Sequence, residues 1–366
     1  MATAAGGEGD AEAAALARFR SMVPQLGGGN YKGSHGKVAV VGGCAEFTGA
    51  PFFAAMSALR VGADMAYVIC TPSAAVPIKS YSPELMVLPY LPEGPPGEEQ
   101  PAVQAEVDAA VTRILPWLGR ASALLVGPGL GSDPSACAAA AGLLCVARRR
   151  GLPAVVDGSA LTHIVAKDAS LVCGYRSCVL TPNVAELGRI AGAVGLPLPG
   201  RMSDEWLQHA PSVAAAFGGP LLLAKGEVDL VCGPGPNPDP SSGSGSASGA
   251  PSDSAPPRPL LRCSVPGSLR RCGGQGDVLA GTVAAFLGWA AKQRPLPHED
   301  GGGAGGGGGG GPPGLDTAAL AACAYAGCAV MRGAAAAAFA AGERSMVAGD
   351  IIPHLYPTFK RVAGCR

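Results

Sequence analysis

Short β-branched runs, each followed by a glycine or polar turn and then an alanine-rich stretch, recur along the 366 residues. This recurrence predicts an α/β fold: three αβα layers around a mostly parallel central sheet. The runs are apolar throughout, as strands covered on both faces are. Hydrophobic residues make up 48% of the chain, enough for a sizeable core. The fold class also locates a site, because open parallel sheets bind ligands beyond the carboxyl ends of their strands.

The elements follow in order. Val38 to Val41 reads as a buried strand, then a glycine turn and a helix over Ala50 to Val61. Met65 to Cys70 is the next strand. Ala123 to Val126 is a strand ending in Gly-Pro-Gly-Leu-Gly, and a helix follows from about Pro134. Ala154 to Val156 ends in Asp157, and Cys178 to Leu180 leads into Thr181-Pro182-Asn183 with a helix from near Val184. Leu221 to Ala224 ends in Lys225-Gly226, with Asp229 to Cys232 as its hairpin partner. The C-terminal part is helical over Val278 to Ala291, over Asp316 to Ala341 and briefly after Asp350.

Three segments have too few large apolar residues to offset the entropy of ordering them. They are a leader over 1–30 and two low-complexity insertions at 233–259 and 294–314; a shorter loop spans 91–101. The expectation is therefore one catalytic domain over 31–356 with a C-terminal tail at 357–366.

Composition narrows the function. Basic and acidic residues balance at 27 each, without the basic excess of a nucleic-acid-binding or polybasic membrane protein. The 12 cysteines lack zinc-site spacing and the 5 histidines are dispersed, so reduced, mostly buried thiols are expected. The alanine-rich start carries Glu8, Asp10 and Glu12, unlike an acid-poor transit peptide. No apolar run reads as long enough to span a bilayer. A soluble cytoplasmic protein is expected, without nucleic-acid or membrane partners, and a homo-oligomer is compatible with the chain.

The most informative stretch is Arg271-Cys272-Gly273-Gly274-Gln275-Gly276-Asp277, directly before an apolar helix. Unpaired N–H groups and the positive dipole end at a helix start suit a phosphate. Asp277 beside it could serve as a base, and Arg270 and Arg271 suit phosphate oxygens. A glycine turn with Asp277 as helix cap explains the local pattern equally well. Gly127 to Asp133 is a second glycine loop, which either takes a phosphate or brings the backbone against a ligand, or is a turn with Asp133 capping the helix at Pro134. Gly42-Gly43 to Pro51 is a third, and its spacing is not that of a dinucleotide fingerprint. Lys32 to Lys37 before it reads as a solvated turn. Asn183 and Glu186, three apart, form a cap-like pair. Lys225 to Asp229 could reach a nucleotide or be a charged turn, and Asp157 could be catalytic or cap Ser159.

Taken in order, Lys32-Gly33…Gly36-Lys37, Gly42-Gly43…Thr48-Gly49-Ala50-Pro51, Gly62-Ala63-Asp64, Ser82-Pro83-Glu84-Leu85, Gly127 to Gly131, Thr181-Pro182-Asn183, Lys225-Gly226 and Gly273 to Asp277 resemble the ATP-dependent NAD(P)H-hydrate dehydratases. These are repair enzymes with the ribokinase-like fold. The resemblance covers roughly Tyr31 to Leu355. It implies ATP as co-substrate with Mg²⁺, and NADHX or NADPHX, the hydrates of NADH and NADPH, as substrate. Phosphorylation of the C6 hydroxyl would let phosphate leave and the dihydronicotinamide return, with ADP and phosphate released.

The resemblance makes Asp277 the base. It places ATP on Lys225, Gly226, Glu227, Val228 and Asp229, and on Gly267, Ser268, Leu269, Arg270, Arg271, Cys272, Gly273, Gly274, Gln275 and Gly276. It places the hydrate on Gly129, Gly131, Asn183, Val184, Ala185, Glu186, Leu187, Gly188 and Arg189, together with Asp277. Metal ligands are left unassigned, and a functional partnership with an NAD(P)HX epimerase is implied. Three positions depart from the family pattern: Tyr31 for a frequent His, Ser159 after Asp157-Gly158 for a more usual Asp, and Leu187 for a common Phe. The competing readings are a ribokinase-like small-molecule kinase of the hydroxymethylpyrimidine type and a non-catalytic nucleotide-binding regulator. Gln275 and the Thr181 to Asn183 segment favour the dehydratase, and the presence of Asp277 argues against the regulator.

Overall fold

The computed structural model describes residues 4–94, 103–234, 258–293 and 314–365. Most of the two insertions and of the 91–101 loop lie outside the described residues.

Nine strands form one sheet. They are β1 (Lys37–Val41), β2 (Met65–Cys70), β3 (Met86–Pro89), β4 (Ala123–Val126), β5 (Ala154–Val156), β6 (Cys178–Leu180), β7 (Leu221–Ala224), β8 (Asp229–Cys232) and β9 (Leu261–Cys263). Their order is β3-β2-β1-β4-β5-β6-β7-β8-β9. Neighbours from β3 to β7 are parallel, with Val38 opposite both Ala66 and Ala123, while β7–β8 and β8–β9 are antiparallel. The predicted αβα class and mostly parallel sheet are therefore observed. The strands expected at Met65, Ala123, Ala154, Cys178, Leu221 and Asp229 fall where the sequence places them.

Alternation along each strand feeds two cores. Val38, Val40, Ala123 and Leu125 face one, and Ala39, Val41, Leu124 and Val126 the other. The first is covered by α1 (Ala4–Met22), α2 (Gly49–Val61), α3 (Pro72–Tyr81), α8 (Gln275–Lys292), α9 (Thr317–Gly342) and α10 (Ala348–Ala363). The second lies under α4 (Gln104–Leu118), α5 (Pro134–Arg149), α6 (Val184–Ala193) and α7 (Ala210–Phe217).

Two expectations at the chain ends are corrected. The leader is not unfolded through Asn30: α1 occupies most of it, with Phe19 and Met22 buried. Phe19 sits 4.6 Å from the Phe286 ring. Alanine-rich sequence has high helix propensity, and Phe19 and Met22, three apart, form a narrow apolar stripe. The tail is not a separate segment either, because α10 runs through it and buries Phe359 and Ala363. Pro353 and Pro357 mask the length of this helix, expected only as a short one after Asp350. The burial of Ile351, Ile352, Leu355 and Phe359 outweighs the hydrogen bonds those prolines remove. The sequence reading also passed over α3, α4, β3 and β9. The 317–345 helical segment is in fact apolar and long enough to cross a bilayer, but it packs within the domain against α1, α8 and α10.

At the carboxyl rim, backbone meets backbone. A Cβ on Gly42, after β1, would stand 2.1 Å from the Pro128 carbonyl oxygen; one on Gly127, after β4, would stand 1.8 Å from that of Asp157. Only glycine admits such approach.

Candidate active site

The start of α8 is built by glycine. Gly274, the N-cap, has φ +95°, and a Cβ there would lie 2.7 Å from the Ala348 Cβ. Gln275, Gly276 and Asp277 form the first turn, whose N–H groups lie outside the intrahelical hydrogen-bond ladder. The Gln275 Nε2 donates to the Arg270 carbonyl (3.0 Å) and to Ser268 Oγ (3.3 Å), folding the preceding loop back against the helix. Asp277 is thus inside the helix and is not its N-cap, which removes capping as an account of this acid.

Its neighbours come from three strand ends. Asp157, after β5, accepts hydrogen bonds through Oδ1 from Thr181 Oγ1 (2.7 Å) and from Lys225 Nζ (2.8 Å). Lys225, after β7, stands 3.7 Å from Glu186 Oε2. Glu186 is held by the expected capping box: its Oε2 accepts from the Asn183 N–H (2.9 Å), and Asn183 Oδ1 accepts from the Glu186 N–H (3.0 Å). A Cβ on Gly276 would be 3.2 Å from Lys225 Nζ, so the bare helix start lets the ammonium come close.

Three carboxyl groups therefore surround one ammonium. Burial, then the charge of Asp157, push the Asp277 carboxyl up to about 7, against the pull of Lys225. Burial also raises Glu186. Burial works against the Lys225 ammonium, but Asp157 and Glu186 outweigh it and the group stays protonated. A carboxyl poised near neutrality beside a phosphate-binding helix start suits a general base.

The described residues contain no cluster of three or more His, Cys, Asp or Glu able to cage a metal. Mg²⁺ takes one or two carboxylates and otherwise phosphate oxygens and waters. Asp157 and Glu186 fit that need, since each has one carboxylate oxygen outside the hydrogen bonds just described.

The remaining expected residues divide. Gly129 and Gly131 join loops: the Gly129 carbonyl accepts from the Gly43 N–H (3.1 Å), and the Gly131 N–H donates to Ser159 Oγ (3.3 Å). Ser159, where a carboxylate is more usual, thus braces this loop, and Asp133 caps α5. Val184 and Ala185 are half-buried in the first turn of α6, and Arg189 is exposed. Leu187 is fully buried in the second core, so its side chain packs the fold and only its backbone is left to meet a ligand. Gly188 packs against the Trp206 ring. Tyr31 projects into solvent.

Among the ATP-segment residues, Gly267, Ser268 and Cys272 are half-buried, whereas Leu269, Arg271 and Gly273 are exposed. Arg270 is anchored by Nε to the Met346 carbonyl (2.7 Å). Val228 packs on the second core and Glu227 is exposed. Asp229 is buried and paired with Arg332 (3.2 Å), so its carboxylate is engaged within the protein. Lys225 faces the acid cluster rather than standing as an isolated phosphate ligand.

Sequence reasoning left Asp157 undecided and missed Thr181 as its partner and Arg332 altogether. One signal was available for Arg332, the only charged residue in the 26-residue α9. A charge alone in an apolar helix needs a partner.

A mostly parallel sheet whose carboxyl rim carries a glycine-framed helix start, a carboxyl raised toward neutrality and a half-buried lysine has the parts that phosphoryl transfer needs, set in an αβα fold of the ribokinase-like kind. Solved structures share the fold. A ribokinase-like superfamily protein from Enterococcus faecalis superposes with a TM-score of 0.60 at 19% identity, covering 95% of this chain and 94% of its own. The ADP/ATP-dependent NAD(P)H-hydrate dehydratase of Bacillus subtilis, co-crystallised with ATP and Mg²⁺, superposes with a TM-score of 0.59 at 17% identity, covering 95% and 97%. The family model for NAD(P)H-hydrate dehydratase matches residues 38–248. The ATP-dependent (S)-NAD(P)H-hydrate dehydratase of Neurospora crassa is 36% identical over 95% of this chain and 93% of its own length, and that of Bos taurus 37% over 95% and 88%. The chain belongs to the NAD(P)H-hydrate dehydratase family.

Proposed function

We propose that this enzyme restores NADH and NADPH from their (6S) hydrates, consuming ATP and releasing ADP and phosphate. The observation that carries the reading is Asp277, a carboxyl raised to about 7 and set in the first turn of a helix whose N-cap, Gly274, supplies no side-chain acceptor. In the proposed step Asp277 takes the proton of the C6 hydroxyl as that oxygen attacks the γ-phosphorus and ADP departs. The N–H groups of the α8 start hold the oxygens on which charge accumulates. The C6–O bond then breaks with its electron pair leaving on phosphate, helped by the ring-nitrogen lone pair. Loss of a C5 proton closes the dihydronicotinamide. Asp157 and Glu186 would hold a Mg²⁺ ion, which would supply positive charge against the phosphates. Lys225 keeps Asp157 and Glu186 in place and tempers their repulsion of Asp277.

Incubation with ATP, Mg²⁺ and NADPHX tests this: reduced-cofactor absorbance returns with one phosphate released per turnover. Accumulation of a stable phosphoester instead would establish the small-molecule kinase. Because the reaction is proposed for one epimer, a mixed pool of C6 epimers would require an epimerase for full recovery; adding one to a stalled reaction tests that partnership. Cytoplasmic location and assembly into a homo-oligomer complete the proposal, tested by fractionation and by light scattering.

A further inference from the structure

The two segments read as nucleotide-binding, 225–229 and 267–276, are separated by the long connection between β8 and β9, and nothing in their sequence says how they hold a common geometry. Arg332, reaching from α9, touches both sides. Its Nε donates to the Val265 carbonyl, immediately before the second segment. Within the first segment, Nη2 donates to the Glu227 carbonyl (2.6 Å), and Nη1 donates to Asp229 Oδ2 (3.2 Å) and the Gly226 carbonyl (3.4 Å). Asp229 closes the arrangement, its Oδ1 accepting from the Gly226 N–H (3.0 Å). One guanidinium, only 14% exposed, thus satisfies three carbonyls and a carboxylate from two loops. The planar, five-donor fork of arginine can do this, and a lysine ammonium cannot reproduce it.

We infer that Arg332 is a positioning residue that sets the distance between the two nucleotide loops, and so governs the use of ATP without touching the hydrate or the reacting atoms. The inference rests on the assignment of those loops to ATP. It predicts that Arg332→Gln raises the KM for ATP roughly 10–100-fold, the scale on which small misplacements of binding groups act. At saturating ATP, kcat and the KM for NADPHX stay within about threefold, and Arg332→Lys recovers only part of the loss.

Removing Arg332 alone leaves Asp229 buried without its partner and risks the fold. The double variant Arg332→Met/Asp229→Asn removes both charges and is compared with each single change. A double variant that regains wild-type Tm but keeps the raised KM for ATP supports positioning. One that regains both, or single variants whose KM values for ATP and hydrate rise together with loss of Tm, overturns it in favour of a purely stabilising ion pair. Arg271→Ala, at an exposed residue of the second loop that is not a partner in these contacts, is run alongside. If it raises the KM for ATP and the Arg332 variants do not, the inference fails and the loop assignment stands. If neither does, the loop assignment fails and takes the inference with it.

Discussion

Asp277 has two properties that pull against each other. Its carboxyl stands at about 7, above the ordinary aspartate value of about 3.9. Between those values the folded chain binds more protons at this position than the unfolded chain, so stability falls as pH rises through the window. Asparagine cannot ionise and escapes that loss. Asp277→Asn is therefore expected to raise Tm at pH 8 by a few degrees and at pH 4 hardly at all, while turnover falls by about 10²–10⁴. A variant that turns over normally, or gains equally at both pH values, would remove Asp277 from the role. In the wild type, kcat/KM should fall about tenfold per pH unit below 7, because the base must be ionised.

Gly273 gives a second test on a single residue. A Cβ there meets nothing within 4 Å, so the folded chain itself does not require glycine. Gly273→Ala should leave Tm unchanged or slightly raised and increase the KM for ATP about tenfold if phosphate approaches that backbone. An unchanged KM would show that no phosphate lies there. Asp277 was legible because acid, glycines and helix fall together in the sequence. Asp157, Thr181 and Lys225 were legible only as separate strand ends, since their meeting depends on the order of β5, β6 and β7.

At the scale of elements, what the sequence showed depended on whether a local pattern matched the packing. The strands at Met65 and Cys178 were readable because runs buried on both faces are uniformly apolar. α1 and the full length of α10 were not: glycines and acids among the alanines obscured one, and of the other only a short helix after Asp350 was legible because two prolines follow, while tertiary burial decided both. Strand β9 is three residues long and pairs with β8 across the insertion; the Leu260 N–H donates to the Val231 carbonyl (2.8 Å). The connection therefore leaves and re-enters the sheet at adjacent points. Replacing residues 235–257 by a tight turn shortens it roughly threefold and lowers loop-closure cost by about 1 kcal/mol. Denaturant melts should show a gain of that size with ATP kinetics unchanged. A loss of ATP affinity would assign those residues a part in the site.

For the whole molecule, the rim divides into two unlike halves. The ends of β1, β4 and β5 touch through Gly42, Pro128, Gly127 and Asp157 at distances that leave no space for a methyl group. The Gly42 and Gly127 N–H groups are also bonded to Ile69 and Val41 carbonyls. The half around 267–276, by contrast, is held by side-chain contacts such as those of Gln275 and Arg270, which can release and re-form. In hydrogen-exchange mass spectrometry, peptides covering 42 and 127 should exchange only with global unfolding, and those covering 267–273 through local opening. Equal rates in the two regions would contradict this division. If it holds, one half of the rim acts as an anvil and the other as the moving jaw. The pace of turnover would then be set by how fast spent nucleotide escapes past the jaw, and a stiffer loop at 267–273 would make a slower enzyme even with its chemistry intact.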